Sequence, residues 1–217
     1  MGRRFWTGAL VMVLVAACQT AAATTFTAEI TDQDGKPVQN AVVSLVPDPK
    51  TAMPGASTRL PTEKTIDQRL ETFVPIVTIV PRNGRVVFTN SDPTTHQVYS
   101  FSPAKQFEIT LARDASSPPI VFPNVGFAAL GCNIHDNMIA YVFVADSPWT
   151  GLTGADGRVV IEDVPPGNYL AQVWHYRYPP RRELPSARVA VASDTTRWTA
   201  NIRVMTRPAT RSHAGSY

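Results

Sequence analysis

Cysteine is nearly absent from this chain: two among 217 residues, Cys18 and Cys132. Histidine is almost as scarce, at four: His96, His135, His175 and His213. So few thiols exclude a disulfide-stapled scaffold and a cysteine-rich zinc module. An excess of one charge is also missing. Lys and Arg number 20 against 17 Asp and Glu, and no basic run occurs, so nothing supports nucleic-acid binding. No apolar stretch reaches the about 18 residues that a membrane-spanning helix needs. Helical periodicity is nearly missing too. Only Ile66, Leu70 and Phe73 show it, in one short segment.

The N-terminus has a clear pattern. Arg3 and Arg4 precede an apolar run from Phe5 to Ala17, and small residues follow it. The run is too short to span a bilayer and reads as a secretory signal. Cleavage after Ala23 is one reading. The other takes "VAAC" before Gln19 as a lipoprotein box, with Cys18 acylated. Both predict a periplasmic protein, either soluble or held to the membrane only through lipid on Cys18. Removing residues 1–23 takes away Arg3 and Arg4, leaving 18 basic against 17 acidic residues. Cys132 then has no cysteine partner. It is a buried inert thiol, a reactive thiol or a metal ligand.

Strand periodicity is abundant. "FTAEIT" alternates Phe26, Ala28 and Ile30 with polar neighbours. "KQFEITLA" does so with Phe107, Ile109 and Leu111, and "RWTANIRV" with Trp198, Ala200, Ile202 and Val204. Period two predicts half-buried strands. "RVVFTN" and "MIAYVFVA" are more uniformly apolar and predict strands covered on both faces. The turns "DQDGKP", "PRNG", "TGADG" and "PPGN" separate these runs. Residues 47–64 read as a linker or long loop, and residues 206–217 as a disordered tail. Many short strands with Gly/Pro turns predict an all-β sandwich architecture.

The stretch "LGCNIHDNM" places Cys132, His135 and Met138 three residues apart in turn. Thiolate and imidazole bind borderline and soft metals, and a thioether adds a weak soft donor. One Cys, two His and a long axial Met make a blue-copper site. The loop supplies three of these four, leaving His96, His175 and His213 as candidates for the second histidine. A Cys–His hydrolase is a rival use of the same residues. It would need a third group to orient the histidine and an oxyanion hole, and neither is evident. His175, in "QVWHYRYPP", reads as structural or surface, and Trp174, Tyr176 and Tyr178 as packing and turn residues.

Residues 65–147 resemble the cupredoxins. "VVFTNSDPTTHQV" is similar to the cupredoxin strand that precedes the first copper histidine. "FPNVGFAALGCNIHDNM" resembles the last strand and ligand loop, with amicyanin-like Cys-x-x-His-x-x-Met spacing. "HQVYSFSPAKQFEITL" and "LGCNIHDNMIAYVFVADSP" resemble exported plastocyanin-like proteins called methylamine utilization proteins. The resemblance implies one mononuclear type 1 copper with His96, Cys132, His135 and Met138 as metal ligands. It implies an electron carrier rather than an enzyme, with an exported dehydrogenase or a c-type cytochrome as partner. Residue 97 is Gln where many cupredoxins have Asn, and no proline follows the cysteine. Copper storage or delivery, and a structural β-domain protein with a vestigial site, are the alternative functions.

The flanks carry a second resemblance. "AEITDQDGKPVQNAVVSL" and "TGADGRVVIEDVPPGNYLAQVW" are similar to the two halves of a transthyretin-like, carboxypeptidase-regulatory-type module. A hairpin at residues 26–46 cannot bury its apolar face alone. The expected fold is therefore all-β: a cupredoxin-like Greek-key β-sandwich at 65–147, and a second small β-sandwich formed by residues 26–46 plus 149–205. One extended sandwich is the alternative. The flanking unit carries no catalytic constellation and implies only binding or positioning.

Overall fold

The computed structural model describes residues 24–48, 60–179, 182–192 and 195–205. Cys18, His213, the body of the expected linker and the C-terminal tail lie outside the described residues. The described residues form sixteen strands: β1 (Thr24–Asp32), β2 (Val42–Pro47), β3 (Glu63–Gln68), β4 (Phe73–Val74), β5 (Val77–Pro81), β6 (Gly84–Asn90), β7 (His96–Ser102), β8 (Lys105–Leu111), β9 (Ile120–Phe122), β10 (Gly126–Cys132), β11 (Ile139–Ala145), β12 (Thr150–Leu152), β13 (Arg158–Val164), β14 (Gly167–Trp174), β15 (Ser186–Val191) and β16 (Thr196–Ile202). They form four sheets, in the orders β13-β1-β16, β12-β2-β14-β15, β5-β11-β10-β7-β8 and β4-β3-β6-β9.

Two sandwiches result, and the chain enters and leaves the second through the first. β1 pairs with β13 and, in parallel, with β16. β2 pairs with β12 and β14. Both N-terminal strands thus take all their sheet partners from beyond residue 149. Alternation explains the burial. Phe26, Ala28 and Ile30 face one core together with Val43, Leu45, Tyr169, Ala171 and Val173. The second core lies between the five-stranded and the other four-stranded sheet. Ile66, Phe73, Val86, Phe88 and Phe122 come from one side, and Val98, Ala128, Leu130, Ala140 and Val142 from the other.

A third apolar cluster joins the two sandwiches. Trp174, at the end of β14, sits 5.2 Å from Phe127, 5.5 Å from Phe143 and 5.8 Å from Tyr141, measured between ring centroids. Tyr176 stacks on Tyr141 at 5.1 Å. This cover explains the uniform apolarity of β11. Its inner residues Ala140, Val142 and Val144 fill the core, while Tyr141 and Phe143 lie half-buried under the flanking unit.

One expectation fails. β6 is not covered on both faces: Val86 and Phe88 are buried, whereas Arg85 is exposed and Val87 and Thr89 are only partly covered. Its Val-Val-Phe run reflects β-propensity as well as burial. The helical spacing of Ile66, Leu70 and Phe73 belongs to a hairpin. Ile66 on β3 and Phe73 on β4 are buried, and Leu70 sits at the tip, 84% exposed.

Candidate metal centre

Sheet register brings the distant motif residues together. β7 and β10 are antiparallel neighbours, and Cys132 pairs with Val98, two residues beyond His96. His96 opens β7 and Cys132 closes β10, so residues 36 apart in sequence meet at the same end of the sandwich. His135 follows in the loop to β11. Met138 N–H donates to the His135 carbonyl at 3.0 Å, closing that loop as a tight turn.

One ligand atom from each of His96, Cys132 and His135 lies within 4.8 Å of the other two. Cys132 Sγ is 3.7 Å from His96 Nδ1, and the two imidazole centroids are 5.2 Å apart. His96 is fully buried, Cys132 is 4% exposed and the His135 side chain 24%. Met138 is buried in the same core cluster as Cys132. His175 is not part of this group. It is buried at the sandwich junction, packed on Tyr176, with Nδ1 accepting the Arg177 N–H.

The outer contacts decide which nitrogens are free. His96 Nε2 meets the Asp92 carboxylate at 2.9 Å, leaving Nδ1 toward the thiol. His135 Nε2 lies 3.6 Å from Glu71, while its Nδ1 is buried with no hydrogen-bond partner. An orphaned buried nitrogen costs free energy unless something binds it. Two imidazole nitrogens and a thiol sulfur converging in an apolar core could hold a copper ion, and that donor set suits it.

The loops are pinned from beneath. Asn90, buried at the end of β6, donates to the carbonyls of Thr94 and Leu111 at 2.8 and 3.0 Å and accepts the Asp92 N–H at 3.0 Å. Gln97 bridges from β7 to the loop after Cys132. Its carbonyl accepts the Asn133 N–H at 3.2 Å, and its Oε1 accepts the Asn133 side chain at 2.7 Å. Gly131 leaves room for the Tyr99 ring. A Cβ there would stand 2.6 Å from the Tyr99 ring, which lies against β10 beside Cys132.

Asp92, Glu71 and Leu70 escape the sequence reading. Burial alone would raise the Asp92 pKa, but the Glu71 N–H, the His96 ring and the Leu70 N–H more than offset it, so the carboxyl titrates below its ordinary range. Asp92 also supplies the third orienting group that a Cys–His hydrolase needs, on His96 rather than His135. The thiol it would activate is nevertheless sealed in the core.

No family model matches the chain, and no curated protein does. Among solved structures, the chain is similar over part of its length to a purple cupredoxin from Nitrosopumilus maritimus. The identity is 20% and the TM-score 0.34, over 37% of this chain and 98% of that one. It is similar to a copper-containing nitrite reductase from Thermus scotoductus SA-01 at 21% identity and TM-score 0.37, over 44% of this chain and 25% of that one. A reduced Cu(I) form of an amicyanin variant aligns at 16% identity and TM-score 0.34, over 49% of this chain and 99% of that one.

Proposed function

We propose that the chain is an exported mononuclear type 1 copper protein that carries single electrons between redox partners. The observation that carries this reading is the convergence of His96, Cys132 and His135 within 4.8 Å, with the His135 Nδ1 left buried and unpartnered. Copper bound there supplies a one-electron couple between Cu(II) and Cu(I). Cys132 would contribute the thiolate, His96 and His135 would contribute imidazole nitrogens, and Met138 would contribute a weak, soft thioether.

The chain's own residues do the rest. Strands β7 and β10 hold His96 and Cys132 on adjacent rails, so neither ligand needs to move when the charge at the site changes. Asn90 and Gln97 fix the two ligand-bearing loops. Val98, Leu130 and Ala140 exclude water around Cys132. His135 is the least buried of the three, so it is the exit toward a partner. That partner is an exported dehydrogenase or a c-type cytochrome, and the flanking sandwich positions the copper unit.

Titrating metal-free protein with Cu(II) tests the reading. One equivalent should give an intense visible thiolate-to-copper band that bleaches on reduction and returns on oxidation. Colourless stoichiometric binding would point to storage or delivery. Absence of binding would make the site vestigial and the protein structural.

A further inference from the structure

If His96, Cys132 and His135 hold copper, both imidazoles must be fixed in orientation, and the role assigned below to one backbone turn rests on that copper reading. The chain reverses between β3 and β4 in two residues, Leu70 and Glu71. Arg69 and Thr72 exchange backbone hydrogen bonds across the reversal, at 3.0 and 3.2 Å. Both turn residues have φ of 53°. That left-handed pair suits Asn-Gly and disfavours leucine and glutamate. Leu70 is not compensated by burial, being 84% exposed.

The turn instead aims two donors at one carboxylate. The Leu70 N–H donates to Asp92 Oδ1 at 2.5 Å, and the Glu71 N–H to Oδ2 at 3.0 Å. Oδ2 also meets His96 Nε2 at 2.9 Å. The Glu71 carboxylate lies 3.6 Å from His135 Nε2. A single turn thus reaches the far nitrogen of both imidazoles, one through Asp92 and one directly.

We propose that Asp92, gripped by the Leu70–Glu71 turn, is a positioning residue for the metal centre. It holds His96 in the Nε2–H tautomer, so that Nδ1 presents its lone pair beside Cys132. Neutral imidazole carries one donor and one acceptor nitrogen, and the group facing one nitrogen settles the role of the other. A carboxylate behind a ligating histidine also makes that ligand more basic. Glu71 plays the weaker part, because its contact to His135 is long and solvent-exposed.

The experiment compares wild type with Asp92→Asn and with the double variant Leu70→Asn/Glu71→Gly. The double variant keeps both N–H donors and suits the turn, and it deletes the Glu71 carboxylate together with the exposed Leu70 side chain. Nitrogen-15 NMR of the metal-free proteins reads the His96 tautomer. Competition with a Cu(I) chelator reads affinity, and voltammetry of the copper forms reads the potential. Wild type and the double variant should both show the Nε2–H tautomer, and the double variant, which loses the exposed Glu71 contact to His135, should bind Cu(I) up to about fivefold more weakly. Asp92→Asn should populate the Nδ1–H tautomer, lose about 10–100-fold in affinity and raise the potential, since a negative carboxylate favours Cu(II). If Asp92→Asn keeps the wild-type tautomer, affinity and potential and merely lowers the melting temperature, Asp92 only caps the turn and the proposal is overturned. If wild type takes up no copper, the copper reading fails, while the tautomers of the metal-free proteins still decide what Asp92 does.

Discussion

Removing residues 149–217 takes away β13 and β16, the two neighbours of β1, and β12 and β14, the two neighbours of β2. Among the described residues no other strand pairs with either. Phe26, Ile30, Val43 and Leu45 are 0–1% exposed in the intact chain. Each loses about 1.5–3 kcal/mol of burial when its opposing face is gone, or about 6–12 kcal/mol for the four. That matches the whole net stability of a typical domain, about 5–15 kcal/mol. The N-terminal strands should therefore not survive in a fragment of residues 24–148. Hydrogen exchange is the assay. Amides of residues 24–47 should exchange at the rate of unstructured peptide, and the fragment should bind a hydrophobic dye. Amides of β6, β7 and β10 should stay protected, because their core cluster is drawn entirely from residues 66–144. Protection of residues 24–47 equal to that in the full chain would refute the reasoning and assign those strands to the sandwich that carries His96 and Cys132.

Met138 and His175 give two further tests. Met138→Gln supplies a harder oxygen and should lower the reduction potential, whereas Met138→Leu removes the soft donor and should raise it; identical potentials in all three forms would make Met138 a core residue only. His175 is held down to about 4, first by burial and then by the nearby Arg177 charge. Its folded value lies below the unfolded one of about 6.5, so the stability linked to its neutral form is fully present above pH 6.5. That stability, at most about 3 kcal/mol, is lost as pH falls from about 6.5 to 4. The melting temperature should drop across that window in wild type and far less in His175→Gln; parallel curves would remove His175 from the acid response.

The strands with clean alternation were legible because period two and a one-sided core are the same fact, as Phe26, Ala28 and Ile30 show. The cluster of His96, Cys132 and His135 was legible because cysteine and histidine are rare enough for their spacing to stand out. The outer contacts were not. Asp92 is recognised by backbone N–H groups of Leu70 and Glu71, and backbone donors leave no mark in a sequence. Its place four residues before His96 was the one available signal. Leu70 misled for a related reason. Its helical spacing to Ile66 and Phe73 carries no structural meaning, because Leu70 sits exposed at a hairpin tip and its role lies in the direction of its N–H. The cover over β11 came from aromatic residues on β14 and just beyond it, more than thirty residues away; composition pointed to burial there without naming the element that buries.

The central claim is that Cys132 is a thiolate ligand to copper, and one spectrum tests it most directly. Wild type and Cys132→Ser are each loaded with one equivalent of Cu(II) and scanned through the visible range, with circular dichroism to check that the β fold is kept. Serine is close in size but a poor soft-metal ligand. Wild type should show an intense blue or purple band, and Cys132→Ser, still folded, should lack it. A folded Cys132→Ser with the wild-type band, or a wild type that binds copper with no such band, would contradict the account.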